Sequence, residues 1–227
     1  MRVLAIDTAL AACSAAVLDT EHGGIVASES LPMARGHAEA LMPLVKRVME
    51  HASVAFSDID RVAVTTGPGS FTGLRVGIAA ARGIALAADK PAVGLSTLAA
   101  YAAPHMAADD SFPVVAVIDA RHGNVYLQVF SAGGRTFTTP RLASLHEAVL
   151  AASATPACIV GSAAQAVADA LPQADSPPVA VDAREAPDIA WVARMGAVVP
   201  ESQSPPVPQY LRAPDAQPQN AAQLPRR

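Results

Sequence analysis

The sequence predicts a duplicated α/β architecture: two small units, each of the order βββαβαβα. Three observations predict it. An apolar run closing on an aspartate opens the chain (Val3 to Ile6, then Asp7), and another stands mid-chain (Pro113 to Ile118, then Asp119). Each is followed by two more strand-like runs and then by alternating helical and strand-like segments, so one pattern occurs twice. The 227 residues, 52% hydrophobic and 16% charged, are enough to bury a core of that kind.

The first unit spans residues 1–108. Val3 to Ile6 reads as a buried strand, Cys13 to Leu18 as a second and Gly24 to Leu31 as a third, together an antiparallel meander. A helix over about 36–52 follows, with Ala38, Leu41, Val45, Val48 and Ala52 at the helical period and Met42 and Met49 broadening the stripe. Pro43 is expected to bend it or loosen its first turns. A strand at 62–66, a helix, a short strand at 92–95 and a helix over about 97–107 complete the unit.

The second unit spans 109–212. Its first strand ends at Asp119, and Val125 to Phe130 is the hairpin partner across Arg121-His122-Gly123-Asn124. A third strand is expected at 135–139, then a helix at 144–152, a strand at 157–160, a helix at 162–171 and a last helix around 187–198. Pro200 to Pro208 is too dense in Ser and Pro for a helix. Residues 213–227, largely Pro, Gln and Ala, read as a mobile tail.

Charge and composition exclude some classes. With 16 basic and 20 acidic residues the net charge is −4, and the basic residues are scattered. Unaided, tight RNA binding needs a basic patch to neutralise phosphates, so it is not expected. The best candidate for a membrane span, Val76 to Ala88, is interrupted by Arg82 and stopped by Asp89-Lys90-Pro91. The first residues carry no signal-peptide pattern. Cys13 and Cys158 lack metal-type spacing. A cytoplasmic protein with reduced thiols and no membrane partner is the expectation.

The central stretch is Gly67-Pro68-Gly69-Ser70-Phe71-Thr72-Gly73-Leu74-Arg75-Val76-Gly77, between a strand and a helix. A P-loop would need Lys and Ser or Thr after the last glycine, where Leu74 and Arg75 stand. A dinucleotide fingerprint would need its third glycine one residue earlier, and a hydrolase elbow would need glycines at Pro68 and Thr72. All three fail. Ser70 and Thr72 lack a base at any recognisable spacing, and a helix N-cap is the better reading. Gly73, Gly77, Ala81 and Ala85 recur at i+4 and form a ridge almost without side chains. Such a ridge admits a close neighbour, either the chain's own sheet or a helix of another protein; periodicity does not choose. Arg75 and Arg82 share a face beside it, as a solvated pair or as the rim of a partner contact. His37 begins a helix, but Ala40 and Leu41 occupy the positions where a second metal ligand would stand, so no metal is expected.

The eleven-residue stretch at 67–77 strongly resembles the signature of the TsaB (YeaZ) family. Ala5-Ile6-Asp7-Thr8, Ile118-Asp119-Ala120-Arg121 and Tyr210-Leu211-Arg212 agree, so the resemblance covers roughly 1–212. It implies the duplicated actin-like ATPase fold of sugar kinases and heat-shock ATPases. It implies a non-catalytic subunit needed for threonylcarbamoylation of the adenosine next to the anticodon, scaffold and activator of the catalytic subunit TsaD, acting with the ATPase TsaE. Within the family the first two helices make the interface. Carried over, that places it at His37, Leu41, Val45, Val48, Gly73, Arg75, Gly77, Ala81, Arg82 and Ala85. The same surface is expected to pair with itself when the partner is absent, and tRNA is met only through the complex.

In actin-like ATPases two strand-end hairpin turns clasp phosphates, which requires bare backbone after the acid. The turn after Asp7 and Thr8 has no glycine, and the one after Asp119 and Arg121 has only Gly123. Asp7, Thr8, Asp119 and Arg121 therefore read as a degenerate nucleotide site, with the two acids bracing their turns. No tightly bound cofactor is expected, and any ATP or ADP would sit at the mixed interface. The runner-up is a self-sufficient small-molecule kinase or ATPase of the same fold, which needs phosphate turns that this sequence lacks. A metallopeptidase would need a His-Glu-x-x-His motif, which is also lacking.

Overall fold

Side-chain alternation decides how the first sheet is covered. In the computed structural model, which describes residues 1–172 and 177–212, strand β1 (Arg2–Asp7) sends Leu4 and Ile6 to one face and Val3 and Ala5 to the other. All four are fully buried. A strand apolar on both faces belongs inside a sheet covered on both sides, and β1 does lie centrally. It pairs antiparallel with β2 (Ala12–Asp19), which pairs antiparallel with β3 (Gly24–Pro32). On its other side β4 (Arg61–Gly67) and β5 (Ala92–Ser96) run parallel, giving the order β3-β2-β1-β4-β5. Helices α1 (His37–Ala52) and α2 (Phe71–Ala88) pack on the Leu4 and Ile6 face.

The second sheet repeats this plan. Strands β6 (Val114–Asp119), β7 (Asn124–Phe130), β8 (Arg141–Ser144), β9 (Cys158–Val160) and β10 (Ala180–Asp182) lie in the order β10-β9-β6-β7-β8. β6 takes the place of β1, and α4 (Leu145–Ser153) and α5 (Ala164–Asp169) cover one face. This is the duplicated actin-like architecture expected from the sequence.

Three details differ. The third strand of the second unit is β8 at 141–144, not 135–139. Ser131 to Arg135 close into a turn, with Gly133 and Gly134 at positive φ, and only Thr136 makes an isolated bridge to Phe130. The three-residue β10, the fifth strand that the repeated order calls for, was not located in the sequence. The division at 108/109 separates the strands but not the helices. Helix α3 (Thr97–Ala108) packs Leu98, Tyr101 and Ala102 against Val114, Ala116 and Ile118 of the second sheet. Helix α6 (Ile189–Val198) packs Ile189, Val192 and Ala193 against Val3, Ala5 and Ala63 of the first. α3 and α6 touch and form a shared middle layer. The tail predicted at 213–227 lies outside the described residues.

By length and composition α2 could cross a membrane, at 18 residues and mean hydropathy 1.3. Leu74, Ile78, Ala81 and Ile84 pack into the first core, so it is a core helix of this fold.

Candidate functional site

The 67–77 stretch is a strand-to-helix turn, as its sequence indicates. β4 ends at Gly67, a cis peptide leads into Pro68, and the Ser70 hydroxyl caps α2 by accepting the Gly73 N–H at 3.3 Å. The ridge of Gly73, Gly77, Ala81 and Ala85 faces inward. The Thr8 hydroxyl donates to the Gly73 carbonyl at 2.7 Å. A Cβ on Gly73 would overlap the Thr8 carbonyl oxygen, and one on Gly77 would overlap the Thr8 hydroxyl. Ala81 and Ala85 are buried in the first core with Leu41, Val45 and Val48. His37 is 8% exposed, its Nε2 3.1 Å from the Leu10 carbonyl oxygen.

The interface residues named from the sequence are therefore corrected. His37, Leu41, Val45, Val48, Gly73, Gly77, Ala81 and Ala85 are covered by the chain itself, and only Arg75 and Arg82 stay outside. The reason is physical. The first sheet needs an apolar cover, and the most regular stripe on each helix supplies it.

What α1 and α2 present outward is a different strip. On α1 it holds Ala38, Met42 and Pro43, with Met42 48% exposed. On α2 it holds Ala79, Gly83, Leu86 and Ala87, with Leu86 84% exposed. A Cβ on Gly83 would meet nothing within 4 Å. The two helices touch on the same side of the sheet. This outer strip was present in the sequence, since Ala79, Gly83 and Ala87 also recur at i+4, but α2 is small-sided nearly all round.

A cleft of about 670 Å³ is lined from both halves: Leu10 and Ala11, Pro68 to Thr72, Asp119 to Arg121, Ser162, and Gln209 to Arg212. Of the four residues of the degenerate nucleotide site, only Asp119 and Arg121 reach it. Asp119 is exposed and its Oδ1 accepts the Arg121 N–H at 2.8 Å, bracing the turn. Asp7 points into the protein, where its Oδ1 accepts the Ala9 N–H at 3.0 Å and the Thr65 hydroxyl. Its Oδ2 is buried without a partner, and burial pushes the carboxyl pKa upward. The signature loop spends its own donor on the first turn: the Ser70 N–H reaches the Ala9 carbonyl at 2.7 Å. A Cβ on Gly69 would overlap that same oxygen. The glycine thus serves close backbone packing. Among the described residues no three His, Cys, Asp or Glu side chains cluster as metal ligands would. Burial raises the Cys13 thiol to about 11 and shifts Cys158 the same way, so neither thiol is activated.

Comparison with known proteins adds a separate line. Residues 10–178 match the family model described as TsaD, tRNA N6-adenosine threonylcarbamoyltransferase. The tRNA threonylcarbamoyladenosine biosynthesis protein TsaB of Escherichia coli (strain K12) is 40% identical over 126 residues, 56% of this chain and 53% of that protein. An uncharacterized protein of Mycobacterium tuberculosis (strain ATCC 25618 / H37Rv) is 33% identical over 232 residues, covering 95% of this chain and 94% of the relative. The solved structure of YeaZ from Pseudomonas aeruginosa superposes with a TM-score of 0.76 at 30% identity, over 92% of this chain and 99% of that one. The chain spans about half the length of the curated TsaB relatives it matches.

Proposed function

This chain belongs to the TsaB (YeaZ) branch of the family described by that TsaD model, and from that premise we propose that it is the non-catalytic partner subunit in threonylcarbamoylation of the adenosine next to the tRNA anticodon. In this reading it holds the catalytic subunit TsaD in a competent state, works with the ATPase TsaE, and meets tRNA only within the assembly. The reaction is cytoplasmic. Any ATP or ADP sits between the subunits and not in this chain's own cleft. The observation that carries the reading is the outer strip of α1 and α2, where Ala38, Met42, Ala79, Gly83 and Leu86 leave small or apolar surface exposed. Two such helices from each partner can pack closely, because interaxial distance follows the side chains at the contact. The same strip is suited to self-pairing when the partner is absent.

The test is a Gly83→Arg variant. Gly83 faces open space, so the variant keeps the monomer fold. It is expected to lose recovery of TsaD in a pull-down and at least tenfold of threonylcarbamoyladenosine formation in a reconstituted tRNA assay. Unchanged pairing and modification would refute the assignment of this face. Turnover of ATP by the purified chain without a partner would favour the kinase reading instead.

A further inference from the structure

The segment after α6 does more than trail off the last helix. Its start is fixed by Arg61, whose Nη1 donates to the carbonyls of Gly196 at 3.0 Å and Val199 at 2.8 Å, while Nη2 pairs with Glu201 at 2.8 Å. It then runs along the ends of β4 and β5. Pro206 lies over Gly94, where an added Cβ would come within 3.3 Å of the Pro206 Cβ. The Gln209 N–H donates to the Thr66 carbonyl at 2.7 Å. A Cβ on Gly67 would sit 2.8 Å from the Gln209 carbonyl oxygen, so the first glycine of the 67–77 stretch makes room for this segment.

Beyond that point the segment ties both halves. The Tyr210 ring lies against Phe71, centroids 4.9 Å apart, and its hydroxyl accepts from Arg75 Nε at 2.9 Å. Arg75 in turn stacks on Phe71, 3.7 Å from the ring centroid. Two residues on, Arg212 Nη1 donates to the Ala120 carbonyl at 3.0 Å, in the turn that ends β6. Gln209 and Tyr210 therefore hold the first half, Arg212 holds the second, and all three line the cleft.

We propose that residues 206–212 are a strap across the cleft, fastened on the first half by the Phe71–Arg75–Tyr210 stack and on the second by Arg212, which keeps the two strand-end turns in fixed register. The strap is part of the cleft wall, so an entering molecule that needs the Ala120 carbonyl must displace Arg212. Because Arg75 also stands at the N-terminal end of the exposed face of α2, loosening the strap reaches that face too. The inference does not depend on what docks there.

Backbone hydrogen exchange of the full chain, compared among wild type, Tyr210→Ala, Arg75→Ala and Arg212→Ala, tests it. Tyr210→Ala is expected to raise exchange about tenfold in 67–73 and also in 119–124, turns on opposite halves, with the β1 and β6 amides unchanged; losing a stacked, charge-assisted contact is of that order. Arg212→Ala is expected to free 119–124 while leaving 67–73 protected. If Tyr210→Ala affects only 206–212, the segment merely lies on the surface and the proposal fails. If β1 and β6 exchange rises equally, Tyr210 supports the whole fold and the proposal fails as well.

Discussion

Two glycines of one helix have opposite environments. Gly77 has the Thr8 hydroxyl where a Cβ would go, whereas Gly83 has open space. Gly77→Ala is expected to cost about 1–3 kcal/mol by forcing the first turn away from α2. Gly83→Ala is expected to gain up to about 1 kcal/mol from helix propensity. Urea unfolding of the two variants checks the contrast, and equal effects would contradict the inward orientation of the ridge. Asp7 gives a second prediction. An acid whose pKa is raised on folding binds more protons folded than unfolded, so it subtracts stability as pH rises above the ordinary carboxyl range. Asp7→Asn removes that dependence while keeping the shape of the group. The stability of the variant relative to wild type should therefore increase between pH 4 and pH 8; a flat difference would mean that the carboxylate is ionised in the fold. At this scale the sequence was legible where chemistry is local: Ser70 caps its helix and Asp119 braces its turn, as their positions implied. Where Asp7 points was not legible, because a strand-end acid can face either the cleft or the core.

Among the elements, α1 and α2 show why carrying an interface over onto the most regular stripe of a helix misplaces it. Leu41, Val45 and Val48 form the most regular stripe on α1, and a regular apolar stripe is what a helix offers to its own sheet. The residues left for a partner are the less regular remainder, Ala38, Met42 and Pro43, and those on α2 are Ala79, Gly83 and Leu86. Helix α6 is the complementary case. Its existence and length were legible from 187–198, but not which sheet it covers, since that choice depends on surfaces distant in sequence. The fit is tight: a Cβ on Gly196 would overlap the Ala63 Cβ. Gly196→Val should therefore push α6 off the first sheet and cost about 1–3 kcal/mol. Urea unfolding followed by the fluorescence of Trp191, which lies within α6, reads both the loss of stability and the release of the helix.

Seen whole, the molecule is two sheets of the same order sharing a middle layer of α3 and α6, with residues 209–212 lining the cleft between the two strand-end turns. The duplication was legible because each half begins with an apolar strand ending in aspartate. The crossing of the helices was not, because no local pattern reports it. That crossing bears on how the chain is made. Val3, Ala5, Ala63 and Val93 are all synthesised early, yet apart from Ala100 of α3 the helix that covers them arrives with Ile189, Val192 and Ala193. One side of the amino-terminal sheet is therefore expected to stay greasy until residues 189–193 have emerged from the ribosome. Nascent chains stalled before residue 189 should therefore be bound by chaperones and cut readily by proteases.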